Sequence, residues 1–471
     1  MQKLTGRKTE LSLFGKIIAS ERSEFVAVYG RRRVGKTFLI RAAFKGLFSF
    51  EIAGLANESL NQQLTNFNLE FQKQAKPQQH KNAENWLETF SMLSGYLDSV
   101  KTKKKVVFID ELPWFDTKRS GFIQGLEHFW NAWASKRGDI ILIVCGSATS
   151  WMLTKLINNK GGLHNRITQK MRIEPFTLQE CEKYLNSRNI NIDKYQIIQL
   201  YMALGGIPFY WDAVEKGQSA MQNINRICFS ENGILKSEFL NLYRSLFNNY
   251  EKHLDIVKTL AKKTVGLTRE QIIKLSGLPD AGSTTRLLVE LQESGFIRKY
   301  TPFGRKNRNS LFQLVDFYTL FYLKFIHDEN ENSNWINAID TPKYRAWSGY
   351  AYEQICFYHI QQIKNALGIG SVNTSISSWR SSSDSSNRVQ IDLLIDRRDQ
   401  VINLCEAKFS VNPFVISKKY ADELRNKAGT FIRETGTKKS VFLTMITTYG
   451  VQQNINSIGL LQNELVMEDL F

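Results

Sequence analysis

Short apolar runs alternate with amphipathic stretches over the first third of the chain. Phe25 to Tyr29, Leu47 to Ile52, Val106 to Ile109 and Ile140 to Cys145 read as buried strands. Between them Leu60 to Gln74, Trp86 to Val100 and Phe122 to Ser135 place apolar residues at helical spacing. Strands separated by helices of that length need crossover connections. The pattern therefore predicts a largely parallel sheet covered on both faces.

From Thr177 the period becomes helical: Leu178 to Arg188, Tyr195 to Ala203, then Phe209 onward after a break at Gly205-Gly206-Ile207-Pro208. Three short helical segments follow, Glu251 to Lys262, Thr268 to Leu275 and Ser283 to Ser294. Two strand-like runs, Phe296 to Tyr300 and Ser310 to Leu314, flank a basic turn. Three helices and a hairpin predict a winged helix. Beyond a helix from Val315 to Ile326, the polar segment Asp328 to Asn334 reads as a boundary. The remainder predicts a helix around Tyr350 to Ile363, strands at Val389 to Ile395 and Val401 to Ala407, a helix after Pro413 and a strand at Ser440 to Met445. Its adjacent strands are expected to be antiparallel, and the Ser-rich run Ser375 to Asn387 to be a flexible loop.

Composition narrows the class. A chain of 471 residues is too long for one ordinary core, and 42% hydrophobic with 23% charged residues fits folded domains rather than disorder. A formal charge of +17 favours polyanionic partners, nucleic acid before acidic membrane. The five cysteines form no C-x-x-C pair, so neither a zinc site nor a disulfide framework is indicated. Without a signal core or an apolar run long enough to span a bilayer, the expectation is a cytoplasmic protein with no membrane association.

Gly30-Arg31-Arg32-Arg33-Val34-Gly35-Lys36-Thr37 fits G-x-x-x-x-G-K-[ST] between a strand and a helix. In that setting backbone N–H groups turn toward phosphates, Lys36 reaches the terminal phosphates of ATP and Thr37 offers a hydroxyl to Mg2+. Val106 to Ile109 delivers Asp110 to the metal, and Glu111 is placed to orient the attacking water. At the end of the next strand Ser147 stands where a γ-phosphate sensor lies. Arg166 is the candidate cation for the γ-phosphate, in this subunit's site or a neighbour's.

These motifs, with Leu4 to Leu11 and Gly205 to Tyr210, resemble the archaeal-type ATPase family of the AAA+/signal-transduction group over roughly residues 1–250. The resemblance implies that Gly6 and Arg7 lie near the adenine and that Pro208, in a helical lid, packs on the nucleotide from the other side. The lid arginine of many AAA+ proteins is not evident. Relatives that form rings make an oligomer one expected state.

Farther on, Asp392 lies in a strand and Glu406 and Lys408 share a face of the next, so the three can meet. Carboxylates on neighbouring strands bind magnesium, and a lysine beside them can orient water toward a phosphodiester. The D-x13-E-x-K spacing resembles the PD-(D/E)XK restriction-endonuclease-like fold, which implies Glu353 on the preceding helix as a further metal ligand. Ile391 stands where that pattern usually has proline.

The expected fold class is an α/β P-loop AAA+ ATPase with a helical lid, then a winged helix and an α/β restriction-endonuclease-like domain. The expected bounds are 1–176 for the ATPase core, 177–249 for the lid, 250–314 for the winged helix, 315–345 for a helical linker and 346–471 for the nuclease-like domain. Residues 251–310 carry 12 Lys or Arg against 6 Asp or Glu. Arg305, Lys306 and Arg308 in the wing, and Ser283, Thr284, Thr285 and Arg286 opening the third helix, suit phosphate contacts with DNA, favoured over RNA. Two functions follow: an ATPase that gates a metal-dependent nuclease, or a nucleotide-driven switch whose C-terminal domain binds DNA or a partner without cutting.

Overall fold

The computed structural model describes residues 4–76, 81–158, 161–247, 249–327, 335–339, 341–381 and 389–471, in two units divided after Pro175. The expected boundary at Asp328 to Asn334 lies outside the described residues.

In the first unit β1 (Glu24–Tyr29), β2 (Phe48–Ala53), β3 (Lys105–Asp110), β4 (Ile140–Gly146) and β5 (Gln169–Arg172) form one sheet in the order β2-β3-β4-β1-β5, every pair parallel. β4 lies between β1 and β3. The carboxyl ends of these three strands therefore adjoin, and the chain that leaves each supplies one part of a common site. All six residues of β3 and all seven of β4 are buried, as central strands covered on both faces require.

One face of the sheet buries Phe25, Phe50, Val107 and Leu142 against Phe67, Phe90 and Trp130 from the helical connections. Ser59 and Asn85 cap two of these helices through the N–H groups of Gln62 and Glu88. Phe122 to Ser135 is not one regular helix. It runs as an α-helix (Phe122–His128), a π-turn (Phe129–Trp133) and a 3-10 turn (Ala134–Lys136), which turns Phe129 onto Phe90 and Trp130 onto Phe25, with ring centroids 5.3 and 4.9 Å apart.

The second unit begins with helices Leu178–Ser187 and Lys194–Leu204, a break at Gly205 to Ile207, then helices Pro208–Trp211, Ala220–Cys228 and Glu238–Leu246. A Cβ on Gly206 would stand 2.0 Å from the Phe176 carbonyl, so the break needs glycine there. Helices Tyr250–Ala261, Arg269–Ser276 and Gly282–Glu293 precede an antiparallel ribbon of β6 (Ile297–Tyr300) and β7 (Leu311–Leu314), which Leu267 extends by a bridge to Phe312.

The C-terminal sheet has the order β14-β12-β10-β9-β8, from β8 (Thr374–Arg380), β9 (Gln390–Arg397), β10 (Val401–Lys408), β12 (Ser440–Thr447) and β14 (Asn463–Leu465). A separate ribbon pairs β11 (Phe414–Val415) with β13 (Val451–Gln452). β9 pairs antiparallel with both β8 and β10, whereas β10–β12 and β12–β14 are parallel, so the expected antiparallel unit is a mixed sheet. β8 also corrects the expected flexible loop. Ser375 to Arg380 pair with β9, while 382–387 lie outside the described residues. The helix expected at Tyr350 to Ile363 is two, Pro342–Tyr358 and Ile360–Ala366, parted at His359.

Candidate functional site

The loop after β1 closes on itself. Gly30 has φ +136°, and a Cβ there would lie 2.5 Å from the Ile173 carbonyl, so only glycine lets the loop pass the end of β5. Arg33 and Gly35 also have positive φ, and Gly35 caps the helix Lys36–Ala43 with no side-chain hydrogen bond. This opens the helix N-terminus and its free N–H groups toward the loop. Arg31 and Val34 are buried and Arg32 is exposed. The Lys36 ammonium is buried and donates to the carbonyls of Gly30 at 3.0 Å and Arg31 at 2.9 Å.

Two carboxylates face this loop. Thr37 Oγ1 donates to Asp110 Oδ2 at 2.8 Å, and Asp110 Oδ1 accepts from the Glu111 N–H at 3.0 Å. Glu111 adopts φ +45°, a left-handed turn that ends β3. Its carboxylate meets Ser147 at the tip of β4, where the hydroxyl lies 3.0 and 2.9 Å from the two oxygens. Behind them burial pushes the Cys145 thiol well up, opposed by Lys36 and reinforced by Asp110 and Glu111, so the site rests on a dry wall. Thr37 and Asp110 present hard oxygen donors side by side, a set that fits Mg2+.

Gly6 and Arg7, both left-handed, precede the first helix. Arg7 is buried and donates to the carbonyls of Glu174 at 2.7 Å and Val34 at 3.1 Å, with Glu10 at 3.4 Å. It ties the N-terminal turn to the phosphate loop. Arg166 is exposed in the turn before β5, and Pro208 starts its short helix in the second unit.

The C-terminal carboxylates are already engaged. The last β9–β10 pair is Leu393 with Cys405, so Asp392 and Glu406 lie one step farther on facing strands. Glu406 is ion-paired to Lys427 and accepts from the Tyr420 hydroxyl at 3.3 Å. Asp392 accepts from Gln390, and the Lys408 ammonium lies 5.2 Å from the Tyr420 ring centroid. Burial first, then Asp392, pushes the Glu353 carboxyl up to about 8, and burial likewise raises Asp392. Among the described residues no group of three or more His, Cys, Asp or Glu is gathered to hold a metal ion. Gln390 was legible two positions before Asp392 on the same strand face. Tyr420 and Lys427 come from a separate helix, Lys418–Thr435, and no local spacing announces them.

Residues 4–214 match the family described as an ATPase domain predominantly from Archaea. An uncharacterized protein of Methanocaldococcus jannaschii is 24% identical over 364 residues, 74% of this chain and 75% of its own length. Among solved structures the Walker-type ATPase of Pyrococcus abyssi overlaps at TM-score 0.49 and 16% identity, over 68% of this chain and 96% of that one. The Aeropyrum pernix ORC2 protein, in ADPNP–ADP complexes, gives 0.42 and 13% over 68% and 93%. Among the described residues no helix is long and apolar enough to cross a membrane.

Proposed function

We propose that the first unit binds and hydrolyses ATP with Mg2+, and that this cycle switches a nucleic-acid contact made by the second unit. One observation carries the ATPase reading: a phosphate loop, a Thr37–Asp110 pair and a Glu111–Ser147 pair converge on the carboxyl ends of three adjacent parallel strands. The family match over residues 4–214 supports it.

In this reading Lys36 exchanges the Gly30 and Arg31 carbonyls for the terminal phosphates. Thr37 and Asp110 hold the magnesium ion, which when bound neutralises phosphate charge. Glu111 orients water and takes its proton, and Ser147 fixes the direction of the Glu111 carboxylate. Arg7 holds the N-terminal turn beside the loop, where Gly6 and Arg7 border the adenine. Exposed Arg166 suits action on the γ-phosphate in an adjoining subunit of an assembly.

Helices 250–294 and the β6–β7 ribbon are read as a winged helix, with Arg305, Lys306 and Arg308 on its turn for DNA phosphates. The C-terminal sheet is read as restriction-endonuclease-like. As it stands, Asp392, Glu406 and Glu353 do not fit a divalent ion: Lys427 and Tyr420 occupy Glu406, and Gln390 occupies Asp392. These contacts favour the switch, which binds without cutting, over the gated nuclease. The test is ATP turnover by the full chain with and without DNA. Turnover lost in Lys36→Ala and reduced by orders of magnitude in Glu111→Gln, with ATP still bound by the latter, supports the reading. Undiminished turnover in both variants overturns it.

A further inference from the structure

A cleft of ≈ 740 Å³ opens in the second unit between the β6–β7 ribbon, the helix Pro342–Tyr358 and the edge formed by β8 and β9. That is within the usual range for a ligand site, roughly 300–1,000 Å³. Its walls carry three exposed arginines, Arg305, Arg345 and Arg380, against two carboxylates, Glu353 and Asp392. The wall itself answers part of that negative charge: Gln390 donates to Asp392 and accepts from Arg380 at 2.7 Å.

A fourth guanidinium underlies the cleft. Arg298 on β6 donates to Gln313 and to Gln354, at 3.1 Å for the latter, and both glutamines line the cavity. Its guanidinium carbon lies 3.8 Å from the ring centroid of Phe357, a third lining residue. Its Nε is sealed from solvent without a hydrogen-bond partner, and among the described residues no carboxylate is paired with it. Burial accordingly lowers its pKa. A half-buried cation held by neutral amides and rings is stabilised by an anion that enters beside it.

The other lining groups narrow the anion. Tyr300, Phe303 and Phe357 are half-buried rings interleaved with these arginines. Guanidinium groups alternating with aromatic faces suit a chain that alternates phosphate and base. A duplex holds its bases paired inside two backbones and cannot lay them on rings in a cavity of this size, whereas a single strand can. Lys306 and Arg308 are exposed on the same turn but do not line the cavity.

We propose that this cleft binds one strand of DNA, with Arg305, Arg345 and Arg380 on its phosphates, Arg298 as the half-buried positive charge beneath them and the Tyr300 and Phe303 rings beside a base. The inference rests on reading the second unit as nucleic-acid-binding and names the form of DNA that it takes.

The experiment uses the full chain, fluorescein-labelled oligothymidylate of about a dozen nucleotides and a duplex of equal length, with anisotropy measured across a salt series. Arg345→Ala combined with Arg380→Ala changes exposed side chains and is expected to weaken single-strand binding about tenfold or more. It should also flatten the salt dependence by roughly 0.7 in log–log slope per lost contact, with ATP turnover unchanged. Arg298→Gln should weaken the single strand too, its fold checked by thermal unfolding. Lys306→Ala with Arg308→Ala should weaken the duplex more than the strand. Single-strand affinity unchanged in the Arg345/Arg380 variant, or lost in parallel with duplex affinity, overturns the cleft. Duplex binding that depends on Lys306 and Arg308 without any single-strand binding by the wild type also overturns it, yet leaves the nucleic-acid reading of the unit standing. No binding of either DNA by the wild type removes both.

Discussion

Ser147 and Glu111 are locked together: the serine hydroxyl is within 3.0 Å of both carboxylate oxygens, and the serine N–H donates to one of them at 3.2 Å. A carboxylate on a left-handed turn at a strand end has several rotamers open to it, and this contact selects one. If Glu111 orients the attacking water, as proposed, Ser147 acts on hydrolysis through Glu111 and not through affinity. Ser147→Ala should lower the ATP turnover number about tenfold, while the ATP dissociation constant stays within about twofold, because a positioning group contributes to the transition state alone. Pre-steady-state turnover and equilibrium binding measured on the same preparation check this. A faster enzyme would mean that Ser147 restrains Glu111 instead of aiming it.

Lys36 gives a prediction that needs no turnover assay. Its buried ammonium donates to two carbonyls of the loop, beside the helix N-terminus where terminal phosphates would lie. Saturating nucleotide should then raise the unfolding free energy of the first unit by RT ln(1 + [L]/Kd), about 2.7 kcal/mol at a hundredfold excess over Kd. Lys36→Ala should melt with no nucleotide-dependent shift. A shift equal to the wild type's would remove Lys36 from the phosphate contact.

What the sequence reveals of this molecule follows the physics of each element. β1, β3 and β4 are buried on both faces and spell themselves as apolar runs, whereas β2, at one sheet edge, buries only Phe50 and Ile52. β5 lies at the sheet edge, buries only Met171 among Gln169, Lys170 and Arg172, and has no such run to read. β8 is legible as serine and not as strand, because its pairing with β9 lies in backbone hydrogen bonds. The phosphate loop was readable because its chemistry sits in one contiguous stretch. The partners of Glu406 were not, since Lys427 and Tyr420 reach it from a helix ten or more residues away in sequence whose period signals only an amphipathic surface.

His359 supplies a pH dependence with a defined sign. It parts the helices Pro342–Tyr358 and Ile360–Ala366, where Nδ1–H donates to the Ile355 carbonyl at 2.8 Å and Nε2 accepts the Leu178 N–H at 2.9 Å. That arrangement requires the neutral ring, and burial holds its pKa down at about 4 from an ordinary 6.5. The folded state therefore binds fewer protons than the unfolded state between these values. The stabilisation is complete above about pH 6.5 and disappears as pH falls to about 4, a loss on the order of 3 kcal/mol. His359→Gln keeps an acceptor for Leu178 without titrating, so denaturant unfolding between pH 6.5 and 4 should be flatter for the variant. Identical slopes would show that His359 is not the group responsible.

The last prediction concerns cleavage. A phosphodiesterase site built on Asp392, Glu406 and Lys408 needs carboxylate oxygens free to take a metal ion, and in this structure they are turned to protein partners. Lys427 pairs with Glu406, Tyr420 shares that carboxylate, Gln390 covers one oxygen of Asp392 and Glu353 is held up near 8. A metal ion entering here must displace an ammonium from a buried carboxylate and take a proton from another, both of which lower its affinity. The expected outcome is that wild-type protein does not nick plasmid DNA with Mg2+ or Mn2+, with or without ATP. Calorimetry on Lys36→Ala, where no nucleotide-linked metal contributes, should likewise show no Mg2+ uptake that Asp392→Ala abolishes. Lys427→Ala tests the cause, since it frees Glu406, and metal uptake that appears only in this variant would identify the ion pair as the block. Nicking by the wild type that is lost in Asp392→Ala while ATP turnover persists would reverse the conclusion and establish the domain as a nuclease.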